Sequence, residues 1–172
     1  MKESQVKLNV GCGNVHRIEG YVHIDARHTP ITDRVCDAWA IDLPPGSVSE
    51  IYSRHMLEHL TVDKARLALA CWCRLLAPGG LLHVVVPDIA FHARQLLGLS
   101  SSNLPDQELH AMAGFYGWCD PERGGSEYDA HRWGWTRESL TVALYETGFS
   151  KVRRLVTGTD TEPWHLNLQA WR

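Results

Sequence analysis

The strongest strand signal in the chain, residues 81–88 with the sequence LLHVVVPD, constrains the fold more than any other feature. Because this run is almost continuously apolar, both faces of the strand should be buried, which is typical of a parallel sheet covered by helices. Four shorter runs before it also predict strands, at residues 6–10, 22–25, 34–37 and 50–53. The chain therefore contains five candidate parallel strands.

A helix is predicted between the last two of these strands. Residues 61–76 place apolar side chains at helical spacing, and Pro78-Gly79-Gly80 stops the pattern. Strands that alternate with helices form parallel sheets with right-handed connections, and such sheets bind ligands beyond the carboxyl ends of their strands. The residues expected at that edge are Gly11, Asp25, Asp37 and His55.

The rest of the chain predicts a long segment over the edge of the sheet, followed by a helix and two antiparallel strands. Residues 100–135 are expected to form a lid or acceptor-side insertion, with one helix at 105–116. A helix at 136–148 follows, and strands at 150–157 and 165–171 should pair antiparallel because the gap between them is too short for a crossover. The predicted fold class is α/β, a Rossmann-like doubly wound, mostly parallel seven-stranded sheet with an antiparallel last strand.

The composition fits one globular domain and indicates which partners and which cellular compartment to expect. The length of 172 residues predicts a single domain, residues 1–172. Seventeen Lys and Arg against 20 Asp and Glu give a net charge of −3, so nucleic acid is not an expected partner. The five scattered cysteines favour a reducing compartment. Because neither a signal-peptide pattern nor a long apolar run is present, a cytoplasmic protein without a membrane span is expected.

A glycine turn follows the first strand. Gly11 and Gly13 form G-x-G, but His16 stands where G-x-G-x-x-G has its third glycine, so the nicotinamide and flavin fingerprint is incomplete. By itself the motif indicates a tight backbone turn, and a nearby ligand and a purely structural turn explain it equally well.

Four segments together carry a family resemblance. They are LNVGCG at residues 8–13, LEHL at 57–60, LLAPGG at 75–80, and HRWGW at 131–135 followed by a helix and two strands. In these segments the chain resembles the class I S-adenosylmethionine-dependent methyltransferases, specifically their small type 11-like group, over almost its whole length. The resemblance implies S-adenosyl-L-methionine as cofactor and an antiparallel last strand inserted into the sheet.

The resemblance also implies cofactor-binding residues near the first two strands. Backbone atoms of Gly11, Cys12 and Gly13 would meet the methionine part of the cofactor, and Asp25 would accept both ribose hydroxyls. Gly13 and Asp25 are only 12 positions apart, whereas the dinucleotide pattern has its acid about 20 residues on, so the first crossover helix should be vestigial. Backbone amides rather than a helix dipole would then face the ligand.

Further cofactor contacts are implied after the third and fourth strands. Asp37 would accept a hydrogen bond from the adenine amino group, and Ala38 would leave room beside the ring. Ser53, Arg54 and His55 would line the channel between the cofactor and the acceptor. A strand-end turn or a helix cap is the alternative role for each aspartate.

Histidines supply the candidate catalytic residues. Methyl transfer from a sulfonium is a single in-line displacement, so the protein mainly aligns the acceptor, the methyl group and the sulfur, with a base where the acceptor must lose a proton. His55 and His131 are the catalytic candidates, with His59 as a further possibility. The expected acceptor is a hydroxyl of a small molecule or glycan precursor. The alternatives are a catalytically silent module that holds S-adenosylmethionine or S-adenosylhomocysteine, and a dinucleotide oxidoreductase; the oligomeric state stays open.

A possible metal motif overlaps these histidines. His55, Glu58 and His59 form H-x-x-E-H, whose spacing would gather three ligands on one face of a helix. The pattern is similar to the E-x-x-E-H of metal-assisted O-methyltransferases, with a histidine in place of the first glutamate. That replacement disfavours Mg²⁺, which prefers oxygen ligands, and a packing role for Glu58 and His59 is the simpler interpretation. We predict no metal.

Aromatic side chains cluster in and after the expected lid. They are Phe115, Tyr116, Trp118, Trp133 and Trp135. They would form either a platform for a sugar ring or flat acceptor, or a part of the core that closes over the sheet edge.

Overall fold

The computed structural model describes residues 6–14, 17–120 and 125–172. At its centre is a seven-stranded sheet in the order β3-β2-β1-β4-β5-β7-β6. The strands are β1 (Val6–Val10), β2 (Val22–Asp25), β3 (Arg34–Val35), β4 (Val48–Arg54), β5 (Leu76–Pro87), β6 (Lys151–Arg154) and β7 (His165–Trp171).

The first five strands pair in parallel, as the sequence predicts. Ile51 of β4 lies opposite Leu8 of β1 and Leu82 of β5, and all three side chains are fully buried in the core. Strand β7 lies between β5 and β6 and is antiparallel to both. The predicted fold class, including the inserted antiparallel strand, is confirmed.

Helices accompany the sheet in two packed pairs. Helix α1 (Val62–Leu75) packs on β5 and on α4 (Arg137–Glu146), whereas α2 (Ile89–Leu96) and α3 (Gln107–Tyr116) pack on each other. The buried Trp72 of α1 donates its Nε1 hydrogen to the carbonyl of Ala38 at 2.9 Å. This bond ties α1 to the segment after β3.

Two element boundaries differ from the predicted ones. Strand β5 begins at Leu76, directly after α1, so Pro78-Gly79-Gly80 lie within the strand instead of in a separate turn. Helix α2 occupies a stretch to which the sequence analysis assigns no element. Asp88 begins this helix by accepting hydrogen bonds from the amides two and three residues further on.

The connection between β1 and β2 is short, as expected from the close spacing of Gly13 and Asp25. Between β1 and β2, residues 11–14 and 17–21 contain no helix. His16 lies outside the described residues, as do residues 121–124 of the expected lid. In the described part of the chain, no helix has the length and apolar character needed to cross a membrane.

Candidate functional site

The glycine loop after β1 lies against both β2 and the segment that follows β4. The amides of Gly11 and Cys12 both donate to the carbonyl of Ile24, at 2.8 and 3.2 Å. Gly11 has a φ of 75°, and a Cβ atom added to it would overlap the side chain of Met56. Glycine is therefore required here both by the backbone conformation and by the lack of space.

Asp25 ends β2 beneath this loop. Its carboxylate Oδ2 accepts a hydrogen bond from the amide of Gly13 at 2.8 Å, and Oδ1 accepts one from the amide of Arg27 at 2.9 Å. The residue is 8% exposed. Because each carboxylate oxygen has two lone pairs, Asp25 retains acceptor capacity at the rim of the sheet.

Asp37 and Ala38 follow β3 at the same edge. The amide of Cys36 donates to the backbone carbonyl of Asp25 at 3.0 Å, which joins the ends of β2 and β3. Asp37 is exposed, whereas Ala38 is buried. The two aspartates therefore mark neighbouring strand ends, as expected from the topology.

The end of β4 is held by a partner far along the chain. Arg54 Nε and Nη2 donate to Oδ2 and Oδ1 of Asp160, both at 2.7 Å. This paired hydrogen bond raises the pKa of Arg54 and lowers the pKa of Asp160. Ser53 beside it is buried, and its hydroxyl has no hydrogen-bond partner among the described residues.

A buried carboxylate lies next to His55. His55 has a φ of 48°, a left-handed conformation that is uncommon for a residue with a side chain. Its Nδ1 lies 3.2 Å from Oε1 of Glu58, which is 1% exposed on the 3₁₀ turn Leu57–His59. Burial alone would raise the pKa of Glu58, but the hydrogen bond from His55 and the neighbouring imidazoles lower it below its usual value. The H-x-x-E-H residues thus do not share the face of an α-helix.

A cavity of about 550 Å³ adjoins the ends of β4 and β5. Its wall includes the six histidines His55, His59, His92, His110, His131 and His165. Of the clustered aromatic residues, Trp118 borders the cavity, whereas Trp135 is 2% exposed in the core and Tyr116 is 64% exposed on the surface. An aromatic platform formed by all five residues is therefore absent from the described structure.

Burial keeps several of the cavity histidines neutral. Desolvation lowers the pKa of His92 and of His165 to about 4, and it also lowers the pKa of His110 and His131. Nδ1 of His131 lies 2.9 Å from the carbonyl oxygen of Gly114. In the neutral ring Nδ1 donates that hydrogen bond, so Nε2 keeps its lone pair.

Comparisons with known proteins agree with this architecture. Residues 15–84 match the model of a methyltransferase domain. The chain is similar to an S-adenosylmethionine-dependent methyltransferase of Methanosarcina mazei, with 19% identity and a TM-score of 0.61 over 100% of this chain and 94% of the other. The family model covers less than half of the chain, and the likeness to the solved structure shows a common fold. These findings agree with the predicted methyltransferase family and its cofactor.

Two further solved methyltransferase structures have the same fold. One is a methyltransferase from Mesorhizobium loti, with 16% identity and a TM-score of 0.61 over 98% of this chain and 91% of the other. The second is 1,6-didemethyltoxoflavin-N1-methyltransferase of Burkholderia thailandensis, solved with bound 1,6-didemethyltoxoflavin and S-adenosylhomocysteine. It has 16% identity and a TM-score of 0.57 over 98% of this chain and 71% of the other. The comparison with curated proteins gave no match.

The sequence-predicted site residues form two neighbouring groups. The first group surrounds the ends of β1, β2 and β3 and contains Gly11, Cys12, Gly13, Asp25, Asp37 and Ala38. The second group belongs to the end of β4 and the cavity and contains Ser53, Arg54, His55 and His131. Met56 joins the groups, since it directly follows His55 and lies against Gly11.

Sequence reasoning missed several residues of the cavity. Asp160 is 106 positions from Arg54, so no local pattern indicates their pairing. His92 and His110 lie on helices α2 and α3 with their ring centroids 5.0 Å apart. The signal that was present is the number of histidines, ten in 172 residues, but their convergence is a product of the tertiary fold.

Proposed function

We propose that this methyltransferase transfers the methyl group of S-adenosylmethionine to an oxygen atom of a small molecule or a glycan precursor. The observation that carries the proposal is the adjacency of the glycine loop and the histidine-lined cavity through Met56 and His55. A cofactor held at the loop would have its sulfonium methyl near that cavity. The cavity volume, about 550 Å³, lies within the range of roughly 300–1,000 Å³ typical of small-molecule sites.

Cofactor binding is assigned to the rim formed by the first three strands. The backbone of Gly11, Cys12 and Gly13 would face the methionine part. Asp25 would accept the ribose hydroxyls, which its unused lone pairs support. Asp37 would accept a hydrogen bond from the adenine amino group, with Ala38 beside the ring.

The end of β4 would separate the cofactor from the acceptor. The paired hydrogen bond to Asp160 holds the Arg54 guanidinium in place and neutralises it, so Arg54 would shape the channel wall. The buried Ser53 hydroxyl, which lacks a partner among the described residues, would be available to a bound ligand.

His55 would act as the general base. Glu58 holds its Nδ1, so Nε2 is the ring nitrogen that would take the proton of an acceptor hydroxyl. The orientation resembles other carboxylate–histidine pairs, in which the carboxylate sets the tautomer and stabilises the imidazolium. His131 is the second candidate, because its Nε2 also keeps a lone pair.

The remaining assignments concern the lid, the class of acceptor and the cellular location. Trp118, Gly125 and Asp129 border the cavity, which supports a role for residues 100–135 as the lid or acceptor-side insertion of a single-domain enzyme. The net charge of −3 favours a small acceptor over nucleic acid. The five cysteines, none in a disulfide, favour a cytoplasmic location.

The test separates cofactor binding from turnover. Calorimetry measures S-adenosylhomocysteine affinity, and product formation is followed with labelled S-adenosylmethionine and a panel of nucleotide sugars and lipid-linked glycans. Asp25→Ala should weaken binding by about 10- to 100-fold, because it removes charge-assisted hydrogen bonds to the ribose. His55→Ala should keep the affinity and slow turnover by about 10²- to 10⁴-fold. The exposed His28→Ala is the control and should retain both.

Each assignment has its own contradictory outcome. Unchanged affinity in Asp25→Ala would remove the ribose assignment, and a fully active His55→Ala would pass the role of base to His131. Tight binding without methyl transfer to any acceptor would favour the catalytically silent binding module.

A further inference from the structure

The cavity wall contains a cluster of metal-ligating atoms next to the proposed base. One ligand atom each from Glu58, His59 and His131 lies within 4.8 Å of the other two. The residues come from two separate parts of the chain, the 3₁₀ turn after β4 and the segment after α3. We propose that Glu58, His59 and His131 bind one divalent transition-metal ion of the zinc type, with an open coordination position towards the cavity.

Glu58 supplies the clearest indication of a missing partner. Its side chain is 2% exposed, and Oε2 has no hydrogen-bond partner in the described part of the structure. A buried anionic oxygen is costly to leave unpaired. The other oxygen, Oε1, is bonded to Nδ1 of His55, and such a hydrogen bond is what typically orients a metal-ligating carboxylate. A cation at Oε2 would complete the environment of this carboxylate.

His131 has the bonding pattern of a metal ligand. Its Nδ1 is bonded to the Gly114 carbonyl at 2.9 Å, which leaves the Nε2 lone pair free. Metal-ligating histidines usually donate their other N–H to a carboxylate or a backbone carbonyl in this way, because the bond fixes both tautomer and ring orientation.

His59 is held between two acceptors. Its Nδ1 lies 3.2 Å from the carbonyl oxygen of Ala130, and its Nε2 lies 3.1 Å from that of His55. A neutral imidazole donates from only one nitrogen, so the second nitrogen directs a lone pair at an oxygen. Both ring nitrogens therefore face carbonyl oxygens, and the His59 ring would have to turn away from one of them to coordinate a cation.

The donor set determines the class of metal. Two imidazoles and one carboxylate suit Zn²⁺ and neighbouring transition metals, whereas Mg²⁺ and Ca²⁺ prefer oxygen ligands. Metal–ligand bonds of about 2.0–2.1 Å place the ligand atoms of a tetrahedral site roughly 3.3 Å apart, so the three atoms would move closer together when the ion binds. Three protein ligands with one open position are typical of a catalytic site, where an acceptor oxygen would bind. His131 would then be a ligand, and the role of base would rest with His55.

This set differs from the one considered in the sequence. His131 takes the place of His55, which pairs with Glu58 instead. A second cluster on the chain, Asp160, Glu162 and His165, has similarly close atoms. Arg54 already occupies both oxygens of Asp160, so that cluster serves as an internal control.

The test uses metal binding itself and does not depend on turnover. The full chain is stripped with EDTA, and Co²⁺ is added as a spectroscopic probe, with Zn²⁺ and Mg²⁺ titrated by calorimetry. One Co²⁺ per chain should bind and show visible d–d bands, one Zn²⁺ should displace it, and Mg²⁺ should not. Glu58→Gln and His131→Ala should each weaken binding at least about tenfold. Glu162→Gln and the exposed His28→Ala should bind as the parent chain does.

The outcomes are distinguishable from those of the proposed function. Circular dichroism and S-adenosylhomocysteine affinity show whether each variant is folded. Absence of Co²⁺ binding in the parent chain overturns the site, as does binding that survives both Glu58→Gln and His131→Ala. Loss of binding in Glu162→Gln would place the ion at the second cluster. Failure of cofactor binding with intact Co²⁺ binding would count against the proposed function alone.

Discussion

The lack of space for a side chain at position 11 is caused by Met56, which lies 45 positions further along the chain. The glycine turn after the first strand predicts a close approach of some kind, and the structure identifies the approaching group as Met56. The same residue places the loop beside the cavity. One contact therefore links the stability of the glycine loop to the geometry of the site.

Replacing Gly11 tests this contact. Gly11→Ala should lower the free energy of unfolding by about 2–4 kcal/mol, because it combines left-handed backbone strain with overlap at Met56. Gly20 has a φ of 81° and open space around it, so Gly20→Ala should cost only about 1–2 kcal/mol of strain. Urea denaturation of the two variants measures the difference. Equal destabilisation would show that Met56 does not restrict position 11.

At single residues, sequence reasoning located groups at strand ends but not their partners. Asp25 and His55 lie at the carboxyl edge because parallel topology places strand ends there. The bond from the Gly13 amide to Asp25 and the pairing of His55 with Glu58 depend on side-chain rotamers. Periodicity carries no information on those rotamers.

Among the elements, helix α2 shows why a hydrophobic pattern can fail. Its buried face carries Phe91, His92 and Gln95, whereas Leu96 at its end and Leu97 after it are exposed by 43% and 73%. The buried polar groups are satisfied by one another and by α3, including a 3.1 Å contact between His92 Nδ1 and Gln95 Oε1. A helix that buries a polar network and exposes leucine is not recognised from apolar spacing.

This polar face predicts a dependence of stability on pH. Burial lowers the pKa of His92 to about 4 in the folded protein, below the ordinary value of about 6.5 expected in the unfolded chain. Between these values the unfolded chain binds more protons, so the free energy of unfolding falls as the pH falls. The contribution of neutral His92 is complete above about pH 6.5 and is lost towards pH 4, by about 3 kcal/mol.

Denaturation at a series of pH values measures this loss. In buffer with EDTA, His92→Gln should lose less stability than the parent chain between pH 7 and pH 4.5, because it removes one buried titrating group. The exposed His28→Gln should follow the parent curve. Identical pH dependence in the parent chain and His92→Gln would contradict the assignment of a neutral, buried His92.

For the whole molecule, alternation of strands and helices predicted the parallel part of the sheet, whereas the insertion of the last strand was implied by the family resemblance. The five parallel strands and the antiparallel β6–β7 pair follow from run lengths and connection lengths, which are local properties of the sequence. The cavity is different, because β4, α2, α3 and β7 all contribute to its wall. Its histidines are distant in sequence, so their convergence becomes visible only in three dimensions.

A crystal structure of the protein with S-adenosylhomocysteine tests the central claim most directly. We expect the ribose hydroxyls on the carboxylate of Asp25, the adenine beside Asp37 and Ala38, and the sulfur facing the cavity next to His55. A nucleoside bound elsewhere, or a rim between Gly11 and Asp25 filled by the protein's own atoms in crystals grown with saturating ligand, would contradict the account.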